Sequence, residues 1–218
     1  MSPVSPRKPG RPSASDKAGQ RERLIDTALQ LFSERGIAAT PLNRIARQAR
    51  VTPALLHYYF GNKQQLVQVV VEERLLARLR PVADAAARLD DTQPAGAVIE
   101  QYVRTLVTTV AAIPWLPPLW VREVLSDDGQ LRQVLLRELA PRFAQSVSAR
   151  VAAGQAAGSI NPRLDARLMP ISLIGLTVFA LASRSLWAQL PGNQGIDTET
   201  LINHVVALLN QGMENTDV

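Results

Sequence analysis

Two Thr-Pro pairs, Thr40-Pro41 and Thr52-Pro53, stand twelve residues apart in an otherwise helical pattern. Proline loses nothing in the first turn of a helix, where its missing N–H has no intrahelical acceptor, and a preceding threonine can cap that turn. Each pair therefore opens a helix, and the spacing makes the first one short. It turns Leu42, Ile45, Ala46 and Ala49 inward and Asn43, Arg44, Arg47 and Gln48 outward. The second has Leu56 and Phe60 on one face, with Ala54, Leu55, His57 and Tyr58 in other directions. Neither is stable alone, so Ile45, Ala46, Ala49, Val51, Leu56 and Phe60 must pack on a longer neighbour. Leu24, Ile25, Ala28, Leu31 and Phe32 supply it, from an expected N-cap at Asp16 to a stop at Gly36. Two short helices joined by a turn at Arg50-Val51 and seated on a third have the proportions of a helix-turn-helix.

Downstream the helical period continues and no segment reads as a strand. Gly61-Asn62 marks a turn, and a long helix from Lys63 through Leu66, Val69, Val70, Leu75 and Leu79 is predicted to break near Pro81. Val98 to Ile113 is amphipathic through Val98, Tyr102, Leu106 and Val110. Pro114, Pro117 and Pro118 interrupt the chain beside Trp115, with a short helix expected from Leu119 to Leu125. Asp127 or Asp128 is expected to cap a helix from Gln130 to Ala157, distorted by Pro141 and ended by Gly158. Residues 165–189 are apolar nearly all round, and residues 198–212 form a final amphipathic helix. The expectation is an all-α fold of about nine helices without an internal repeat.

The net charge of +5 is unevenly placed. Residues 1–63 hold 11 Lys and Arg against 4 Asp and Glu, a net of +7, while the remainder carries −2. A nucleic-acid-binding head on a neutral body has this footprint, although anionic membranes attract the same charges. The longest charge-free apolar stretch, between Arg167 and Arg184, has 16 residues and contains Pro170. A bilayer span needs about 20, so no membrane partner is expected. The absence of cysteine, with only His57 and His204 as histidines, excludes thiolate and multi-histidine metal sites. There is no Gly-rich phosphate loop, His-Glu-x-x-His or Gly-x-Ser-x-Gly, and Asp127-Asp128 read better as caps than as an acid–base pair. An enzyme is not expected, nor is a cofactor. Met1 to Pro12 lacks the apolar centre of a secretory signal, which predicts a cytoplasmic protein.

The stretch from Gly36 to Leu66 resembles the DNA-binding domain of TetR/AcrR-family transcriptional regulators. It carries, in order and without gaps, Gly36, Thr40, Ile45-Ala46, Ala49-Arg50-Val51-Thr52, Leu56-His57-Tyr58-Tyr59-Phe60, Asn62-Lys63 and Leu66. Three positions depart from the family pattern. Arg50 stands where glycine is usual, so a side chain must tolerate a left-handed turn. Ala54 replaces a common glycine, and His57 replaces the usual tyrosine, keeping a ring and a donor with shorter reach. The resemblance implies phosphate contacts from Thr40, His57, Tyr59 and Lys63, and a base-facing surface of Thr52, Pro53, Ala54, Leu55 and Tyr58. Arg44 is a further contact from the first short helix. The chemistry is compatible, since hydroxyls and lysine suit phosphates and an apolar side chain suits a thymine methyl. Core packing is the better account of Phe60 and the poorer one of Tyr58. Residues 1–15, with Arg7, Lys8 and Arg11 among prolines, read as a flexible basic arm that either enters a minor groove or stays solvated.

The resemblance divides the chain into this arm, a DNA-binding domain at 16–62 and a ligand-binding and dimerisation domain at 63–218. A helix apolar all round must be covered on every side, which suggests that helices 165–189 and 198–212 form a four-helix seam in a two-fold homodimer. Leu173, Leu176, Ala180, Leu201 and Val205 are its expected contacts; a monomer with a buried central helix is the alternative. Tyr102, Trp115, Leu119, Trp120, Phe143 and Phe179 are candidates to line an apolar cavity, with Glu123 or Arg122 setting its polarity, unless they are plain core. The function expected is a repressor that binds a palindromic operator on double-stranded DNA as a homodimer and is released by a small-molecule effector. The alternative is a ligand-independent DNA-binding architectural or interaction protein.

Overall fold

Helix ends in this chain are set where glycine, arginine or a capping oxygen lets the backbone turn. The computed structural model describes residues 14–87 and 95–214; the basic arm with Arg7, Lys8 and Arg11 lies outside them. Among the described residues all regular structure is helical. The first helix, α1 (Ala14–Arg35), begins before Asp16 and stops at Gly36, whose φ is 87°. Then come α2 (Leu42–Gln48) and α3 (Pro53–Phe60). The Thr52 side chain accepts from Leu55 N–H, as a cap should, and Gly61, with φ 68°, closes α3. At the first Thr-Pro pair the cap does not form. Pro41 occupies the N-cap position, and the Thr40 hydroxyl turns inward to the Gly36 carbonyl at 2.7 Å.

Asn62 caps α4, which runs over 63–87 through a π-helical turn at Val71–Leu76. The extra residue of that turn brings Val70, Val71, Leu75 and Leu76 to the buried side together. Pro81 does not end α4. It lies on the exposed side of the helix, where the single missing N–H is tolerated, and Val82 and Ala83 continue the buried face.

The body continues with α5 (Ala95–Ala111) and α6 (116–125), the latter starting at Leu116, ahead of the expected Leu119, because Pro117 and Pro118 fit its first turn. The expected helix from Gln130 to Ala157 is divided at Leu139 into α7 (Arg132–Glu138) and α8 (Ala140–Ala156), with Pro141 in the first turn of α8. Neither Asp127 nor Asp128 caps α7, whose N-cap is Leu131; Asp127 pairs instead with Arg132 at 3.3 Å. The apolar segment 165–189 likewise divides, into α9 (169–182) and α10 (Arg184–Trp187). The last helix, α11 (Thr198–Met213), is capped by Asp197. These two divisions raise the count from the expected nine to eleven among the described residues.

Helix α2 rests on α1, α3 packs against α2 and α4, and α4 crosses from that head into the body. There α5 packs against α11, and α8 against α4, α7 and α9. One apolar cluster is continuous from Leu24, Phe32, Ile45, Leu56 and Leu66 in the head to Val103, Leu173 and Ile202 in the body.

Candidate nucleic-acid interface and apolar cavity

The turn between α2 and α3 decides which way α3 faces. Arg50 N–H donates to the Arg47 carbonyl and Val51 N–H to the Ala46 carbonyl, the paired bonds of a helix end closed by a left-handed residue. Arg50 is that residue, with φ 56°, so it holds the conformation usually left to glycine. Leu56 and Phe60 then point into the core, while Thr52, Pro53, Ala54, His57 and Tyr58 face outward and Leu55 is half-buried. Tyr58 is 72% exposed, far more than a packing role would leave it. The His57 ring donates Nδ1–H to the Gly61 carbonyl at 2.6 Å, which aims Nε2 outward and leaves it the free nitrogen.

Basic groups surround this face. Arg44 is half-buried, Arg47 and Arg50 are exposed, and Lys63 reaches the Ala38 carbonyl with Nζ at 3.1 Å. No acidic residue occurs between Glu34 and Glu72. The acids of α1 are engaged on its other side: Glu22 and Asp26 with Arg74 at 2.5 and 2.7 Å. Arg21 pairs there with Glu73 and lies over the Phe60 ring. The sequence reads Arg47 as an outward-facing cation and Arg50 as a turn residue, and the resemblance assigns neither a DNA contact.

Two expected contacts are placed differently. Thr40 is wholly enclosed, its hydroxyl donating to main-chain oxygens of the head, so its side chain braces the α1–α2 corner and cannot reach a phosphate. Tyr59 is half-buried with its hydroxyl on the Lys17 carbonyl at 3.2 Å, fastening α3 to α1.

In the body, α4–α9 line an apolar cavity of about 300 Å³ that opens to solvent beside the exposed Ile171. Tyr102, Trp120 and Phe143 line it as expected, and Tyr102 and Phe143 stack with centroids 5.2 Å apart. Burial pushes the Tyr102 hydroxyl up from its ordinary titration range, keeping it a neutral donor. Four candidates lie elsewhere. Phe179 faces outward, one position past the lining Val178; Trp115 sits under the Arg78 guanidinium; and Leu119 packs beneath α1 and α4. Glu123 is buried away from the cavity and accepts from Ile37 N–H at 2.7 Å and Gln130 N–H at 3.1 Å. Arg122 beside it donates to the Glu34 carbonyl. These two side chains clamp α6 onto the end of α1, and a Cβ at Gly36 would meet both of them at 3.1–3.2 Å. Of the expected seam residues, Leu173 and Val205 point into the chain's own core, whereas Leu176, Ala180 and Leu201 are half-buried. The free apolar side of these helices is instead Leu168, Ile171, Phe179, Leu186 and Leu208.

Residues 24–70 match the family model for bacterial regulatory proteins of the tetR family. That stretch is a TetR-family DNA-binding domain. Over 69 residues the chain is 42% identical to the HTH-type transcriptional regulator BetI of Rhizobium meliloti (strain 1021), covering 32% of this chain and 34% of that protein. The chain thus matches about a third of that relative's length. Over 157 residues it is 28% identical to the HTH-type transcriptional repressor KstR2 of Rhodococcus jostii (strain RHA1), covering 71% and 74%. Solved structures share the fold of this chain along nearly its whole length. The ketosteroid transcriptional regulator KstR2 of Mycobacterium tuberculosis superposes with a TM-score of 0.67 at 17% identity, over 90% of this chain and 95% of that one. FadR of Bacillus subtilis in complex with stearoyl-CoA does so with 0.63 at 21%, over 88% and 98%. No described helix is long and apolar enough to cross a membrane.

Proposed function

We propose that this chain is a transcriptional repressor that binds a palindromic operator as a homodimer and releases it when a small molecule enters the cavity. The observation that carries the DNA-binding reading is the outward face of α3 with its exposed Tyr58, in a head whose segment from Arg35 to Val71 holds Arg44, Arg47, Arg50 and Lys63 and no acid. A major groove about 12 Å wide admits one helix, and the cations neutralise flanking phosphates. His57, Lys63 and the exposed arginines position the backbone; Thr52, Pro53, Ala54, Leu55 and Tyr58 meet base edges. The head and body are taken to meet at the start of α4, with the head at 16–62 and the body at 63–218.

Release by an effector is supported by the double duty of α6. Leu116 and Trp120 line the cavity, and Arg122 and Glu123, two and three residues past Trp120 in the same helix, hold the head. A ligand that shifts α6 thereby changes the angle of both recognition helices, and its effect on DNA equals its preference between the two arrangements. The folds similar to this one include proteins named for a ketosteroid and for stearoyl-CoA, which fits a greasy cavity.

Gel-shift titration against the DNA flanking the gene tests the reading. The expected result is a dimeric complex whose affinity falls steeply with salt, and Tyr58→Ala weakens it by about tenfold without loss of helicity. Binding without sequence preference at every salt concentration overturns it.

A further inference from the structure

The cavity's lining is Leu79, Val82 and Ala83 of α4, Tyr102 and its neighbours on α5, Trp120 of α6, and apolar residues of α7–α9. It contains no Lys, Arg, His, Asp or Glu. The polar side-chain atoms on its lining residues are the Tyr102 hydroxyl and the Trp120 indole N–H, and neither donates to any described residue. Of the charged residues that adjoin lining residues in sequence, Arg78 lies over the Trp115 ring, and four others pair across the wall. Arg80 of α4 pairs with Glu138 of α7 at 3.3 Å, and Arg142 of α8 with Asp84 of α4 at 3.4 Å.

We propose that the ligand of this cavity is an uncharged, mainly hydrocarbon molecule with a single hydrogen-bonding oxygen, which the Tyr102 hydroxyl receives. This rests on the reading of the cavity as the effector site. A carboxylate or phosphate entering here gives up its hydration and finds no cation, a loss that an apolar lining cannot offset. A pure hydrocarbon fills the space but leaves the buried Tyr102 donor without an acceptor, so an oxygen at one point is selected. The stacked Tyr102–Phe143 pair makes a flat, stiff wall that rotamer changes do not readily enlarge. At about 300 Å³ the space lies at the small end of ligand pockets, roughly 300–1,000 Å³, so a bulky charged head group has to stay outside.

Decanol and decanoate, equal in chain and different in charge, decide the matter when titrated at about pH 8 into the full chain and read by calorimetry and tryptophan emission. Decanol is expected to bind at least about tenfold more tightly than decanoate. Tyr102→Phe is expected to weaken decanol about fivefold at an unchanged melting temperature, since it removes only the donor. Filling the cavity by Ala144→Trp abolishes binding, and Ile174→Phe serves the same purpose should the first variant not fold. Decanoate binding as tightly as decanol, no decanol binding at all, or binding unaffected by either filled variant overturns the ligand class. The same titrations repeated on the DNA complex separate the two claims. Decanol that binds without releasing DNA leaves the ligand class standing and removes the effector role. Release by decanoate alone does the reverse.

Discussion

Arg50 holds a backbone conformation that costs a side-chain-bearing residue about 1–2 kcal/mol relative to glycine. Its place on the exposed basic face gives that strain a counterpart in function. Arg50→Gly is therefore expected to raise the unfolding free energy by about 1 kcal/mol while weakening DNA binding, two effects of opposite sign that urea denaturation and gel shift read separately. Glu123 is the converse case, a buried carboxylate whose two oxygens satisfy two main-chain N–H groups of different segments. Glu123→Ala leaves both donors without partners and is expected to cost about 2–3 kcal/mol in a denaturant titration, with Glu123→Gln losing less because one acceptor remains. Nothing in the sequence distinguishes Glu123 from an exposed acid on a short helix, and for that reason it was taken for a residue tuning cavity polarity. Its role depends on Ile37, eighty-six positions away along the chain.

At the scale of elements, α1 and α4 are joined by ion pairs as well as by their apolar faces. The Arg21 guanidinium holds the Glu73 carboxyl below its ordinary value of 4.5. A carboxylate with a lowered folded value stabilises the fold above its unfolded value, and that contribution disappears as pH falls through the folded one. Urea midpoints are thus expected to drop on acidification below about pH 4.5, and Glu73→Gln to flatten that part of the profile; an unchanged slope rejects the assignment. Helix breaks were the least legible elements. Pro81 reads as a terminus, yet it lies within α4 because its missing N–H falls on the exposed side. Pro141 reads as a mid-helix distortion but is found in the first turn of a separate helix, the position where proline costs least. Which face of a helix meets water decides such cases, and a linear pattern does not contain it.

For the whole molecule, the apolar side of α9–α11 is the surface proposed for self-association. It presents Leu168, Ile171, Phe179, Leu186 and Leu208 to solvent in the single chain. Phe179→Arg is expected to convert the dimer to monomer in sedimentation velocity and to abolish operator binding while leaving the melting profile of the head intact; a dimer that persists assigns the seam to another face. In the single chain these helices are not covered on all sides, and the residues expected at the seam are not the ones left exposed. Leu173 and Val205 are claimed by the chain's own core, and the residues left over lie a helical turn's fraction away.

What the linear order of residues determined was local: Pro41, the Thr52-Pro53 cap, Gly36, Gly61 and Asn62 set the helix-turn-helix, because caps and left-handed turns are fixed by residues within a few positions of one another. The outward direction of Tyr58 followed from the same short-range periodicity. Only the tertiary structure decided that Thr40 and Tyr59 spend their hydroxyls on the head itself, that Glu123 and Arg122 tie α6 to α1, and that Val178 rather than Phe179 faces the cavity. Each of these depends on how helices far apart in the chain are rotated against one another, and that rotation is settled by the packing of all their side chains at once, not by any one segment's pattern.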